Sequence, residues 1–326
     1  MKLHESSKRR GNTMSWSCFA WIGLTLLLLA AQPVHAQGLT LIPVTSCGQV
    51  LGAAGQYVLS ADLDCSGTFA DGVDITASNV VFHLAGHTLS STDCDPNKGG
   101  GGITALSGLT GVQIEGGTVK GFVDGIVLYS SSSRVNGMTV TGACEFGLAI
   151  SGQNNSVDTS VVTLSGMDGI GIGAASGIHI VSNNISDNAR VGVDISNFSN
   201  NNFVENNVIN RNGIADGEQG GVAIFNGSKN LIANNTLNNN FNGIELESPG
   251  NTARNNTVNG SVDGGVFVLQ GASPSSVKSN TVLGSGLADM ADGSPKCGKD
   301  KWKMNIFQTD LVAGVSDGGP GVGCLQ

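Results

Sequence analysis

The chain has 326 residues with a formal net charge of −9, and it combines 49 glycines with only 13% charged residues. Aliphatic and β-branched residues recur throughout the chain, which excludes long disorder and allows one sizeable core. The acidic balance argues against nucleic acid and anionic membrane surfaces as partners, because both carry negative charge.

The first 36 residues have the pattern of a removable signal peptide. A positive region at residues 8–10 precedes an apolar run from Phe19 to Ala31, and Val34-His35-Ala36 offers small residues for cleavage before Gln37. The run is shorter than the roughly 20 residues that a membrane span needs. We therefore expect a secreted or periplasmic protein with one domain, residues 37–326, and no membrane span after cleavage. This segment holds four of the 16 Lys/Arg and one of the 25 Asp/Glu, so the mature net charge is −12.

Six cysteines remain once Cys18 leaves with the signal peptide, and an even number in an exported chain favours disulfides. Among the possible connectivities we prefer the one that closes the shortest loops. It joins Cys47 to Cys65, Cys94 to Cys144, and Cys297 to Cys324. Neither a zinc-type cysteine spacing nor an Asp-rich calcium loop is present, so the sequence predicts no metal site and no cofactor.

A phrase of glycine, aliphatic, any residue, aliphatic recurs along the chain at intervals of 22 to 30 residues. Its glycines are Gly72, Gly102, Gly125, Gly147, Gly169, Gly192, Gly221, Gly243 and Gly265. A second phrase between these glycines places an asparagine at one position of the later repeats: Asn183, Asn207, Asn235, Asn256 and Asn280. A near-constant period of this size is the signature of a repeat architecture.

Each repeat consists of short alternating runs separated by Gly, Asn and Ser, which is typical of short strands. One repeat cannot bury its own apolar face, but stacked repeats can, with each strand pairing in parallel to the strand above. The sequence therefore predicts an all-β right-handed parallel β-helix of about nine coils over residues 71–283. We expect the asparagines to stack as a hydrogen-bonded ladder. Residues 37–70 and 284–326 lack the phrase and are interpreted as caps, and two longer gaps are interpreted as loops.

The Gly-aliphatic-x-aliphatic and Asn-Asn-Thr phrases resemble the repeat of secreted bacterial β-helix proteins of the pectate-lyase-like superfamily. The resemblance covers roughly residues 39–283 and implies the fold more strongly than any activity. The catalytic motifs of polygalacturonases, such as Asn-Thr-Asp and Gly-His-Gly, do not occur here. The Asp-Pro-His-Asp motif of alginate epimerases is replaced by Asp95-Pro96-Asn97-Lys98.

The strand after each glycine directs its aliphatic residues inward and the residues between them outward. Asp194 and Glu245 fall in one outward column, two coils apart, and Glu247 falls in the next column. These spacings suit the two carboxyl groups of a glycoside hydrolase, although a solvated acidic patch is the alternative. The columns contain neither Lys nor Arg, which argues against a polyuronate lyase.

Tyr129, Phe225 and Phe267 also lie in the outward columns and are candidates for stacking on sugar rings. His83 and His87 are four residues apart, but Gly86 is expected to bend the chain between them, so we assign them a structural role. Two functions remain open. The protein either binds or processes polysaccharide or cell-surface glycan along one face, or it is a non-catalytic surface or adhesion protein.

Overall fold

A computed structural model describes residues 40–68, 70–95, 100–215, 217 and 219–325, and the predicted signal peptide lies outside these ranges. The described chain is a parallel β-solenoid whose strands form three long sheets. Every named strand pair is parallel, and each strand pairs with its equivalents one coil before and one coil after. No helix among the described residues is long and apolar enough to cross a membrane.

Between the two ends of the solenoid, successive strands visit the three sheets in turn. Sheet I contains β1 Ile42–Val44, β3 Gly55–Leu59, β6 Val80–His83, β9 Gln113–Glu115, β12 Arg134–Asn136, β15 Ser156–Asp158, β18 His179–Val181, β21 Phe203–Glu205, β24 Leu231–Ala233, β27 Thr252–Arg254, β30 Ser276–Lys278 and β33 Lys301–Lys303. Sheet II contains β2 Gln49–Leu51, β5 Val73–Ile75, β8 Gly101–Ala105, β11 Asp124–Leu128, β14 Leu148–Gln153, β17 Ile170–Ser176, β20 Val193–Ser196, β23 Gly220–Ile224, β26 Asn242–Leu246, β29 Gly264–Val268, β32 Ala288–Asp292 and β34 Asp310–Val312. Sheet III contains β4 Leu63–Asp64, β7 Thr88–Ser90, β10 Thr118–Lys120, β13 Thr139–Thr141, β16 Val161–Thr163, β19 Asn184–Ser186, β22 Val208–Asn210, β25 Thr236–Asn238, β28 Thr257–Asn259 and β31 Thr281–Leu283.

The solenoid has about 11 coils rather than the nine predicted. The additional coils come from the two ends, where β1–β4 and β32–β34 join the same sheets. Parallel pairing needs an alternating apolar run, such as Tyr57 and Leu59, and does not need the glycine-led phrase. A short 3-10 turn, Pro295–Cys297, precedes β33.

The core is a stack of aliphatic side chains, with one to two contributed by each strand. In one coil Ile180 of sheet I, Ile185 of sheet III, and Val193 and Ile195 of sheet II are all fully buried. Each such side chain stabilises the fold by about 1.5–3 kcal/mol relative to exposure. The two predicted loops lie between β7 and β8 and between β22 and β23.

Three ladders of buried asparagines run parallel to the solenoid axis. The predicted ladder extends from Asn183 to Asn305, and each Nδ2 donates to the Oδ1 of the next asparagine at 3.0–3.2 Å. Two further ladders were not predicted. They join Asn188, Asn212 and Asn240 at one corner, and Asn202, Asn230 and Asn251 at another.

The disulfides have the predicted connectivity. Cys47–Cys65, Cys94–Cys144 and Cys297–Cys324 have Cα–Cα distances of 5.6, 5.6 and 6.0 Å. The two histidines point to different partners, since His83 pairs with Glu115 at 2.7 Å and His87 pairs with Asp62 at 3.2 Å.

Candidate active site

The outer face of sheet II brings the predicted carboxylates together. Asp194 pairs in register with Ala223, and Ala223 pairs with Glu245, so the two acids share one column with a single alanine between them. On a strand spacing of about 4.8 Å, their backbones are about 10 Å apart. Glu247 continues the neighbouring column, because its backbone N–H donates to Ile224 at 3.0 Å.

Both column acids face away from the core yet are shielded from water. Asp194 is 7% exposed and Glu245 is 6% exposed, while Ala223 between them is fully buried. None of the three belongs to the apolar core cluster, which instead includes their strand neighbours Ile195 and Ile224. The side chains on this face therefore cover one another, and the acids lie in a desolvated layer outside the sheet.

The burial of the Asp194 carboxylate is only partly offset by hydrogen bonds. Its Oδ1 has no hydrogen-bond partner within the described chain. Burial raises the pKa of Asp194 to about 6, the charge of Asp168 adds to the increase, and Ser196 and Arg190 oppose it. At neutral pH this carboxylate is ionised, and one of its buried oxygens lacks a hydrogen-bond partner among the described residues.

Glu245 and Glu247 form a carboxyl pair. Burial raises the pKa of both, and the charge of Glu245 adds to the effect on Glu247, whose pKa rises to about 7. The hydrogen bond between them lowers the pKa of Glu245 and raises that of Glu247, which makes Glu247 the protonated donor. The Asn242 side-chain amide also donates to Glu245 and orients it.

A groove of about 520 Å³ extends along the same face from Asp194. Its floor consists of small residues in the outward columns: Ala149, Ser151, Gly171, Gly173 and Ser196. One wall is aromatic, because the ring of Phe146 lies only 3.0 Å from where a Cβ on Gly171 would stand. Small floor residues between taller walls give the depth that a sugar ring needs.

Arg190 lines this groove and was not predicted as a site residue. It forms a bidentate ion pair with the fully buried Asp168, with Nε–Oδ1 at 3.0 Å and Nη2–Oδ2 at 2.8 Å. This pairing fixes the guanidinium at the edge of the groove. Both residues belong to the bends before the strands rather than to the outward columns. The two residues are 22 positions apart, which is one repeat period. Searching the sequence for oppositely charged residues separated by one period would therefore identify this pair.

Of the three predicted aromatic residues, one lines the groove and two lie outside it. Tyr129 lines the groove and is 43% exposed, so its ring is accessible. Phe225 follows Ser196 in the neighbouring column, and Phe267 pairs in register with Glu245. These two phenylalanines flank the carboxylates but do not line the groove. Within the described ranges, no group of three or more His, Cys, Asp or Glu residues is arranged to hold a metal ion.

Solved structures share this architecture. The Dettilon tailspike protein superposes with a TM-score of 0.57 at 15% identity, over 84% of this chain and 61% of the tailspike chain. A mutant of the periplasmic alginate epimerase AlgG gives a TM-score of 0.54 at 15% identity, over 79% of this chain and 70% of the epimerase chain. The Agl-KA catalytic domain gives 0.54 at 12% identity, over 83% and 62%. At these identities the likeness concerns the fold alone.

The chain spans less than two thirds of the tailspike that it resembles. No curated protein sequence matches it significantly. The family model described as "Right handed beta helix region" matches residues 101–248 and 205–298, which together are more than half of the chain. The protein therefore belongs to the right-handed β-helix family.

Proposed function

We propose that the protein is exported and that the outer face of sheet II binds a polysaccharide and hydrolyses its glycosidic bonds. One observation carries the proposal. A buried carboxylate with an unpartnered oxygen, Asp194, lines the end of a groove, and a carboxyl pair, Glu245 and Glu247, stands two coils beyond it, outside the groove lining. Glycoside hydrolysis needs one protonated carboxylic acid and one carboxylate on opposite sides of the bond.

The raised pKa values suit a division of roles. Between about pH 6 and pH 7, Asp194 is ionised while Glu247 remains protonated. Glu247 then acts as the general acid toward the leaving oxygen, and Asp194 acts as the base that activates water. Glu245 is a positioning residue, because it holds the proton on Glu247. Asp194 and Glu247 lie two coils apart and in neighbouring columns, so this assignment corresponds to an inverting enzyme, whose carboxyl groups stand farther apart than the ~5 Å of retaining enzymes.

The groove supplies the substrate contacts in this proposal. Tyr129 and Phe146 offer rings for contact with sugars, and the Arg190–Asp168 ion pair fixes a polar edge of the groove beside them. Three intramolecular disulfides support export, because such bonds persist in oxidising compartments.

Release of reducing ends from a panel of neutral and acidic polysaccharides tests the proposal. We expect release from one member, and we expect Asp194→Asn and Glu247→Gln each to reduce it by at least 100-fold. Glu205→Gln, on the outer face of sheet I, is the matched control and should retain full activity. Full activity in both site variants would overturn the catalytic assignment.

The non-catalytic alternative predicts no release from any polymer. It is motivated by the absence from the sequence of the catalytic motifs of polygalacturonases and alginate epimerases. In that case the same groove would serve as a lectin-like site. Glycan-array binding that is lost in a groove variant would then support a binding or adhesion protein.

A further inference from the structure

A second cavity lies at the corner between sheets III and II, outside the candidate active site. It encloses about 640 Å³, and none of the described residues that line it also lines the sheet II groove. One side comes from the loop between β22 and β23, which places Ile214 and Ala215 against the cavity. Loops inserted into the coils of a repeat protein often form its binding surface. The hydrolysis proposed for sheet II uses neither this loop nor this cavity.

The floor of the cavity is a column of corner residues, one from each of five successive coils. Each residue follows the last residue of a sheet III strand, so the strand registers align the five along the solenoid axis. At about 4.8 Å per coil, this floor is about 19 Å long. All five residues have a left-handed backbone, with φ between 55° and 62°. In chain order they are Leu164, Asp187, Arg211, Asn239 and Gly260.

Leu164 is costly to the fold at this position, because a left-handed backbone disfavours a bulky side chain. The column continues in both directions at Gly142 and Gly284, for which the same backbone carries no steric cost. The Leu164 side chain is 60% exposed, so packing within the protein recovers little of its cost. Ile214 and Val262 line the same cavity and are also exposed. Strain that packing does not offset is typical of positions that contact a ligand.

One ion pair interrupts the aliphatic lining. Arg211 donates to Asp187 through two nitrogens, with Nε–Oδ1 at 2.6 Å and Nη2–Oδ2 at 2.7 Å. The pair fixes the guanidinium, and its third nitrogen, Nη1, has no hydrogen-bond partner among the described residues. None of the described residues that line the cavity is aromatic, so it offers no ring for stacking on a sugar. Its chemistry therefore differs from that of the sheet II groove.

We infer that this cavity binds a single aliphatic chain with a carboxylate head, with its methylene groups against Leu164 and Ile214 and its head on Nη1 of Arg211. An unbranched chain fits because the floor is extended and the walls are aliphatic, with one polar group to fix the orientation of the ligand. A guanidinium is a strong hydrogen-bond partner of a carboxylate. Binding at this corner does not require the hydrolysis proposed for sheet II.

Calorimetric titration of the protein with decanoate, below the concentration at which micelles form, tests the inference. We expect saturable binding at one site, and at least tenfold weaker binding of decylammonium, which has the same chain but a cationic head. The net charge of −12 expected for the mature chain would itself favour the cation. Tighter binding of decanoate therefore requires a local donor such as Arg211. Equal affinity for the two amphiphiles, or binding of neither, overturns the inference.

Leu164→Asn locates the chain. A left-handed corner accepts asparagine, as at Asn239, so this variant should fold normally and weaken decanoate binding about tenfold. Phe198→Asn is the matched control, because Phe198 is also left-handed, with φ 61°, and is 79% exposed, but it lies outside the cavity lining. It should change binding less than twofold. Both variants relieve a strained corner, so neither should unfold at a lower urea concentration than the unmodified protein. Unchanged binding in Leu164→Asn, or an equal loss in Phe198→Asn, contradicts the inference.

Discussion

Glu245, on the outer face of β26, and Glu247, just beyond the end of that strand, are adjacent carboxyl groups whose hydrogen bond lowers the pKa of Glu245 and raises that of Glu247. Carboxyl groups this close cannot both ionise at low cost, which helps to raise the pKa of Glu247 to about 7. Asp194, two coils away, has a lower pKa of about 6, because a hydrogen bond with Ser196 and the charge of Arg190 oppose the increase caused by burial and by Asp168. The face therefore contains an acid and a base at the same pH.

The first prediction concerns the pH dependence of polysaccharide cleavage. Activity should rise as Asp194 ionises with a pKa of about 6 and fall as Glu247 ionises with a pKa of about 7. The profile of kcat/KM is then a narrow bell centred between these values. Glu245→Gln removes the charge that holds the proton on Glu247, so the alkaline limb should move to lower pH. An alkaline limb that stays in place in this variant contradicts the assigned role of Glu245.

The second prediction is that Asp194→Asn stabilises the protein while abolishing activity. Because folding raises the pKa of Asp194 from 3.8 to about 6, the free energy of unfolding falls as pH increases between these values and stays reduced above them. Removing the charge should recover about 3 kcal/mol at pH 7 and nothing near pH 3. Chemical denaturation at the two pH values measures the difference.

Asp187→Asn is the control of opposite sign. The pKa of Asp187 is lowered by its hydrogen bond to Arg211, so its charge stabilises the fold above the unfolded pKa. This variant should lose stability at pH 7, and the loss should disappear as pH falls below the folded pKa. A loss of stability at pH 7 in Asp194→Asn as well would contradict the second prediction.

A third prediction tests the groove by filling it. Gly173 has no left-handed backbone requirement, and a Cβ there meets only the Asn197 Nδ2 at 3.3 Å. Gly173→Leu should therefore fold normally but occupy the floor of the groove and weaken oligosaccharide binding by at least tenfold. Gly52→Leu lies in the same outward column near the N-terminal end, where a Cβ is also accommodated, and should bind normally. Equal binding by both variants would place the ligand elsewhere.

A fourth prediction compares two asparagines of one coil. Asn235 is buried, its Oδ1 accepts from the Asn207 backbone N–H at 2.9 Å, and its Nδ2 donates to the Val204 carbonyl at 2.8 Å. Asn235→Ala leaves both backbone groups without partners in the interior and should reduce the free energy of unfolding by about 3–5 kcal/mol.

Asn238 makes a similar amide contact to Asn210 at 2.9 Å, but it is half-buried. Water can replace its lost partner, so Asn238→Ala should cost less than about 1 kcal/mol. Urea denaturation of the two variants gives the comparison. Similar losses in both would mean that stacking, rather than burial, determines the strength of the ladder.

The repeat predicted the fold, the carboxylate column and one asparagine ladder, because a fixed period determines which residues of successive coils lie in register. Asp194, Ala223 and Glu245 are aligned for this reason alone. The period does not determine how the bends fold, and Arg190, Asp168 and Phe146 reach the groove from the bends. The period also does not reveal that residues on the outer face can be buried, as Ala223 is. The raised pKa values of the carboxyl groups on this face could therefore not be predicted from it. The extra coils were missed because β1–β4 alternate without the glycine-led phrase.

The asparagine ladders have a consequence for ligands as well as for stability. Each ladder joins successive coils through side-chain amide hydrogen bonds, 3.0 Å long along the central ladder, so the outward columns have a fixed axial spacing that side-chain packing alone would set less strictly. A polymer lying along such a column meets functional groups at regular intervals of one coil. Affinity then depends on whether the repeat length of the polymer matches that spacing. A polymer with suitable functional groups but a different repeat length would lose its register with the column within a few coils.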